Sequence, residues 1–209
     1  MTPGRACGHS ARVKPAITGY DDHDLNEHLC LRAAGILGLR VAVSRAISFE
    51  GERAVVVDRY DRFPRGDGTI TRLHQEDMCQ ALGLPPSAKY QSEGGPTPEQ
   101  IITLIRGAVR PVVVAEAEVD RFVDAVALNW LLGGTDAHAK NYSLLLMPGQ
   151  VRLAPLYDVA SSLAVRLPAA LREAASADAV TALGSPLPER LAAVVADHVT
   201  RCRGALAAG

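Results

Sequence analysis

The chain has 209 residues, 48% of them apolar and 22% charged, which is the balance of a folded globular protein rather than a disordered one. Its 22 basic and 23 acidic residues are spread evenly, so no basic stripe marks a direct nucleic-acid binder. Four separated cysteines, Cys7, Cys30, Cys79 and Cys202, form no C-x-x-C pair and read as reduced, buried thiols, and no apolar run is long enough to span a membrane. A cytoplasmic protein with one core or two small lobes is expected.

In chain order, RVKPAI (12–17) reads as a strand, Gly19 to Asp22 as a turn, and Leu25, Leu29, Ala33 and Leu37 as the apolar stripe of a helix that Gly38 ends. VAVSRAISF (41–49) and RAVVVDRY (53–60) read as a hairpin around Glu50-Gly51-Glu52. The polar stretch Asp61 to Arg72 reads as a connection between lobes. Helical character follows in HQEDMCQALGL (74–84), where His74-Gln75-Glu76-Asp77 is expected to cap a helix start rather than bind metal. Thr97-Pro98-Glu99-Gln100 is a capping box with proline in the first turn, opening a helix that buries Ile101, Leu104 and Ile105. Residues 115–132 form the strongest helix, with Val119, Phe122, Val123, Val126, Ala127 and Trp130 expected in the core. It stops at Gly133-Gly134. YSLLLM and QVRLAP flank Pro148-Gly149 as a second hairpin, and the Ala-rich tail after Pro168 is expected to be helical.

The residues with the most chemistry are Asp136, His138, Lys140 and Asn141, followed 17 positions later by Asp158. Phosphoryl transfer needs a carboxylate to receive the proton of the attacking hydroxyl and oxygen ligands that hold Mg²⁺ against the nucleotide phosphates. Kinase loops of the pattern H-R-D-x-x-x-x-N place base and metal-binding asparagine as Asp136 and Asn141 are placed here, and a hairpin would return Asp158 beside Asn141. Nearer the start, Lys14 lies in a strand and Glu27 in the following helix, the order of the kinase lysine and its glutamate partner. Val57, Asp58, Arg59 and Tyr60, at the end of the second hairpin strand, are placed where a hinge would meet adenine.

The wording NWLLGGTDAHAKNYSLLL with RLAPLYDVAS, together with RLHQEDMCQALGLPPSAKYQSEGGP (72–96), resembles the HipA family of serine/threonine toxin kinases over about residues 10–165. The resemblance implies an α+β, protein-kinase-like fold: a reduced β-containing N-lobe (1–62) and a mainly α-helical C-lobe (63–209). It implies ATP and Mg²⁺ as cofactors, with Asp136 as catalytic base and Asn141 and Asp158 as metal ligands. It makes Lys14 the nucleotide lysine and His138 and Lys140 phosphate contacts. The implied partners are a protein substrate and an antitoxin. HipA-type proteins carry a sizeable region before the nucleotide lysine, with a loop over the phosphates, whereas Gly4, Gly8 and Ser10 lie too close to Lys14 to supply it. The chain therefore reads as truncated, as half of a split kinase with a separate N-terminal subunit, or as a non-catalytic binding module. A metal hydrolase built on Asp136, His138 and Asp158 lacks further ligands.

Overall fold

The computed structural model describes residues 10–15 and 23–162. Cys7, Cys202, the Gly19 to Asp22 turn and the Ala-rich tail lie outside them.

Strand β1 (Ala11–Pro15) pairs antiparallel with β3 (Glu52–Asp58), which pairs on its other side with β2 (Ser44–Phe49). The β2–β3 hairpin closes through Glu50 and Gly51, at φ 51° and 87°. Two left-handed residues are what a tight hairpin turn with the right twist requires, and a glycine tolerates one of them without strain. Helix α1 (His23–Ile36) packs on this sheet and ends at the expected Gly38, at φ 89°, with the Leu39 N–H reaching back to the Ala34 carbonyl, although Leu37, expected in the apolar stripe, is exposed.

The lobe connection is more ordered than its polar composition suggests. It forms a small hairpin, β4 (Arg62–Pro64) with β5 (Ile70–Arg72), turned by Asp67 and Gly68. The expected helix from residue 74 starts four residues late. His74–Asp77 is instead strand β6, paired antiparallel with β7 (Ser143–Met147), and only then does α2 (Met78–Ala81) begin. Pairing with a partner nearly seventy residues away overrides the local helical pattern. Asp77 remains the cap, accepting from the Gln80 N–H at 2.9 Å while the Gln80 side chain accepts from the Asp77 N–H at 3.0 Å.

Helix α3 (Pro98–Ala108) starts at the Thr97–Gln100 capping box as read, and α4 (Val112–Leu131) starts three residues earlier than expected. Strand β8 (Gln150–Leu153) completes a β6-β7-β8 sheet.

One apolar cluster runs from Leu25 and Leu31 of α1 through Met78, Ile105 and Phe122 to Leu156 and Val159. A smaller one, Ala42, Val55 and Val57 with Tyr60 and Tyr157 against it, lies under the first sheet. Cys30 and Cys79 are free and buried, and burial pushes the Cys30 thiol up to about 12. The α4 stripe is only partly as expected. Val119 and Phe122 are buried, but Trp130 is 53% and Val123 47% exposed.

Buried charge is paired. Glu118, inaccessible in α4, meets Arg40 at 3.1 Å and Arg121 at 3.0 Å, which ties the segment after α1 to the helical half. No described helix is long and apolar enough to cross a membrane.

Candidate functional site

Two long-range ties bring the two ends of the described chain together, and a third fixes the segment before Asp158 to the loop that carries Asn141. The Asn26 side chain exchanges reciprocal hydrogen bonds with the Ser161 backbone, at 2.8 and 3.1 Å. Ala42 and Leu156 share a backbone bond of 2.8 Å, and Leu156 bonds back to the Arg40 carbonyl at 2.8 Å. The Tyr157 hydroxyl donates to the Lys140 carbonyl at 2.6 Å. These ties flank Asp158, which is held in the left-handed region at φ 57°. For an L-residue that conformation costs energy, and such costs persist where surrounding structure enforces them, often at functional sites.

The consequence is a three-residue charge cluster. The Lys14 ammonium donates to both Glu27 oxygens, at 2.8 and 2.7 Å, and to Asp158 Oδ1 at 2.8 Å. Glu27 is almost wholly buried. Burial works against the Lys14 charge, but Glu27 and Asp158 outweigh it and the ammonium is held above its ordinary value. Asn141 lies alongside: its Nδ2 donates to the Asp158 carbonyl at 3.3 Å, and its Oδ1 accepts from the His138 N–H at 3.3 Å.

Around the cluster opens a cavity of about 400 Å³. Lys14, Glu27, Val57, Asp58, Arg59, Tyr60, His138, Lys140, Asn141 and Asp158 all line it. Asp136 does not: its side chain is 78% exposed, and the structure places it one side chain away, with Oδ1 3.8 Å from His138 Nε2. The hinge segment offers fewer backbone groups than its position suggests. The Asp58 and Arg59 N–H groups already donate to the Val43 and Ser10 carbonyls at 2.8 Å each.

Several wall residues were not singled out by the sequence. Arg12 lies two positions before Lys14 and so on the same strand face, a signal that period-two alternation carries. Asp61 is buried beneath the hinge and gripped by Arg59 at 2.9 and 3.0 Å and by Arg62 at 2.5 Å. Burial alone would raise its carboxyl; the two guanidiniums hold it below the usual range. Gln75 and Asp77 also reach the wall, through the strand that the helical reading missed. Tyr90, outside the lining, donates its hydroxyl to Asp136 Oδ1, and no sequence spacing signals that contact.

Among the described residues no cluster of three or more His, Cys, Asp or Glu side chains could hold a metal, so a closed protein cage is not what this site offers. Around the Lys14 ammonium it offers the Asp158 carboxylate and the Asn141 amide, whose oxygen accepts from the His138 N–H. Hard oxygen donors in that number suit Mg²⁺ shared with phosphates, because that ion commonly takes one or two protein ligands and completes its shell from substrate and water. Two buried polar atoms of wall residues, Gln75 Oε1 and His138 Nδ1, have no hydrogen-bond partner among the described residues.

Comparison with known proteins gives a consistent picture. The profile of the HipA-like C-terminal domain family matches residues 6–205. The protein of Sinorhizobium fredii that carries the name "Putative kinase Y4mE" is 41% identical over 162 residues, covering 77% of this chain and 37% of its own length. The serine/threonine-protein kinase toxin HipA of Shewanella oneidensis is 33% identical over 150 residues, 66% of this chain and 34% of its own. The chain thus spans little more than a third of the curated relatives it matches. The structure of Shewanella oneidensis HipA with HipB and operator DNA superposes with a TM-score of 0.66 at 30% identity, covering 73% of this chain and 37% of that one. The Helicobacter pylori proinflammatory kinase CtkA shares the fold, at a TM-score of 0.51 and 15% identity, over 70% of this chain and 48% of its own. Because the HipA neighbour was solved with DNA, an even charge balance is no ground for setting nucleic acid aside. With an α+β, kinase-like architecture and a family profile spanning nearly its full length, the chain belongs to the HipA-like C-terminal domain family, whose named relatives include kinases.

Proposed function

We propose that this chain is the core of a HipA-type serine/threonine kinase that passes the γ-phosphoryl group of Mg-ATP to a protein hydroxyl. The observation that carries the reading is Lys14, gripped by Glu27 and Asp158 at 2.7 to 2.8 Å on the wall of a cavity that also holds Asn141. A metal-phosphate ligand supplies the transferable group and a divalent charge, and Asp158 and Asn141 are the residues that would hold the metal.

In this reading Glu27 keeps the Lys14 ammonium aimed into the cavity, where it can move from Asp158 to phosphate oxygens. Arg12 and Lys140 add positive charge along the wall, and His138 donates toward phosphate from the rim. Val57 to Tyr60 form the adenine edge. Asp136, outside the cavity lining and exposed, accepts the proton of the incoming hydroxyl as the new phosphate ester forms. The lobes divide near residue 62, and the protein works in the cytoplasm with an antitoxin or a separate N-terminal subunit as partner. One observation favours a second reading, a partner-binding module without turnover: Asp136 stands apart from the cavity that holds the other site residues.

The test is transfer of labelled γ-phosphate to dephosphorylated casein, with and without Mg²⁺. The expected result is Mg²⁺-dependent labelling that drops about a hundredfold or more in Asp136→Ala, the usual scale for losing a general base. Undiminished transfer in that variant removes Asp136 from the chemistry. A parent chain that binds Mg-ATP without transferring phosphate supports the binding module instead.

A further inference from the structure

The stretch SAKYQSEGG (87–95), part of the second family-like motif, has no role in the mechanism above, yet it is built with care against the Asp136 loop. The Lys89 carbonyl accepts from the Ala139 N–H at 3.1 Å, joining the two loops through backbone. The Tyr90 carbonyl then accepts from both Glu93 and Gly95, at 2.9 and 2.8 Å, folding the stretch into a compact turn. Only glycine fits at its end. A Cβ on Gly95 would lie 2.6 Å from the Tyr90 carbonyl oxygen and 2.9 Å from that of Ala88, and Gly94 beside it sits at φ 84°.

What this turn delivers is the Tyr90 side chain. Its ring meets the His138 ring edge-on at 5.1 Å, the Lys89 ammonium lies 4.8 Å from its centroid, and its hydroxyl donates to Asp136 Oδ1. His138 Nε2 faces the same oxygen at 3.8 Å. One carboxylate oxygen is therefore engaged from two sides.

We infer that Tyr90 is a positioning residue: its hydroxyl pins one oxygen of Asp136 so that the other is presented to the acceptor hydroxyl. The inference rests on the reading of Asp136 as base. A carboxylate on an exposed loop samples several rotamers, and general-base chemistry needs one of them held at hydrogen-bond reach of the reacting proton. A neutral phenol suits the task because it donates a strong bond to an ionised oxygen without bringing a cation that would oppose proton uptake. The contact also holds the phenol proton in place, raising the Tyr90 ionisation first through the hydrogen bond to Asp136.

Tyr90→Phe removes the hydroxyl and keeps the ring against His138, so it separates positioning from packing. In the full chain, Mg-ATP affinity and the KM for ATP are expected to stay within twofold of the parent while kcat for labelled phosphate transfer to casein falls about tenfold, the scale of losing a group that orients a working side chain. In Asp136→Asn, Tyr90→Phe should add nothing, and the Tyr90 phenol, assigned by its loss in Tyr90→Phe, should ionise at lower pH than in the parent. An unchanged kcat in Tyr90→Phe overturns the inference, as does a Tyr90 ionisation unmoved in Asp136→Asn. Phosphate appearing on Tyr90 itself also overturns it, since the phenol would then be an acceptor. A parent that binds Mg-ATP but transfers nothing overturns the kinase reading and with it the positioning role, and the phenol titration then shows separately whether the Tyr90–Asp136 pair exists.

Discussion

Asp158 and Asp136 come from the same loop system, yet their surroundings differ in kind. Asp158 is engaged by the Lys14 ammonium and carried on a backbone at φ 57°, whereas Asp136 is engaged by the neutral hydroxyl of Tyr90 on an exposed loop. A cationic partner suits a group that must remain ionised and can exchange one cation for another; a neutral donor suits a group that must take up a proton. The distinction extends to construction. The Asp158 end is assembled from α1, β1 and residues 156–161, whereas the Asp136 loop is joined by backbone bonds to Lys89 on one side and to Ser162 on the other.

The first way to break this comparison is to remove the tie that assembles the Asp158 end. Asn26→Ala deletes both reciprocal bonds to Ser161 and the acceptor that Cys30 meets at 3.3 Å, leaving buried backbone groups without partners. The expected loss is about 2 kcal/mol of stability in urea unfolding, the scale of an unsatisfied buried polar group. Mg-ATP affinity should fall with it while the Tyr90–Asp136 pair persists. Wild-type stability in that variant would mean that the two ends are not joined through Asn26.

A smaller effect sharpens the same contrast through pH. His28, buried on α1 one residue after Glu27, bonds Ser44 of β2 at 2.9 Å, and burial, followed by the charge of Arg32, holds its imidazole below the ordinary 6.5. A lowered histidine value means that the unfolded chain binds the proton more readily, so this contribution is complete above pH 6.5 and is lost as pH falls below it. Stability should drop by no more than about 1 kcal/mol between roughly pH 7 and 5.5, within the linkage limit for one shifted group. His28→Gln should flatten that slope. An unchanged slope in the variant would assign the acid sensitivity to other groups.

What was legible in the sequence was mostly local. The Glu50-Gly51 turn, the Thr97 capping box and the spacing of Asp136, Asn141 and Asp158 are each written within a few residues or one hairpin. Lys14 with Glu27 was legible for another reason, since strand-then-helix order recurs in kinases. The misses were non-local. His74–Asp77 became a strand because β7 pairs with it, α4 buries Ala125 and Leu128 while Trp130 is half exposed, and the Asp61 grip needs a bend in the hinge that no periodicity encodes. Tyr90 reaches Asp136 across 46 positions, with a loop geometry that only Gly94 and Gly95 hint at.

The division of labour between the two aspartates is tested most directly by isothermal titration of ATP, with and without Mg²⁺, into the parent chain, Asp158→Ala and Asp136→Ala. If Asp158 holds the metal and Asp136 serves only the incoming hydroxyl, binding in the parent is Mg²⁺-dependent, Asp158→Ala weakens it by about tenfold or more, and Asp136→Ala leaves it within about twofold, since charge-assisted contacts contribute about 1.5–3 kcal/mol and Asp136 makes none to the bound nucleotide. Equal losses in the two variants, or ATP binding indifferent to Mg²⁺, would contradict it.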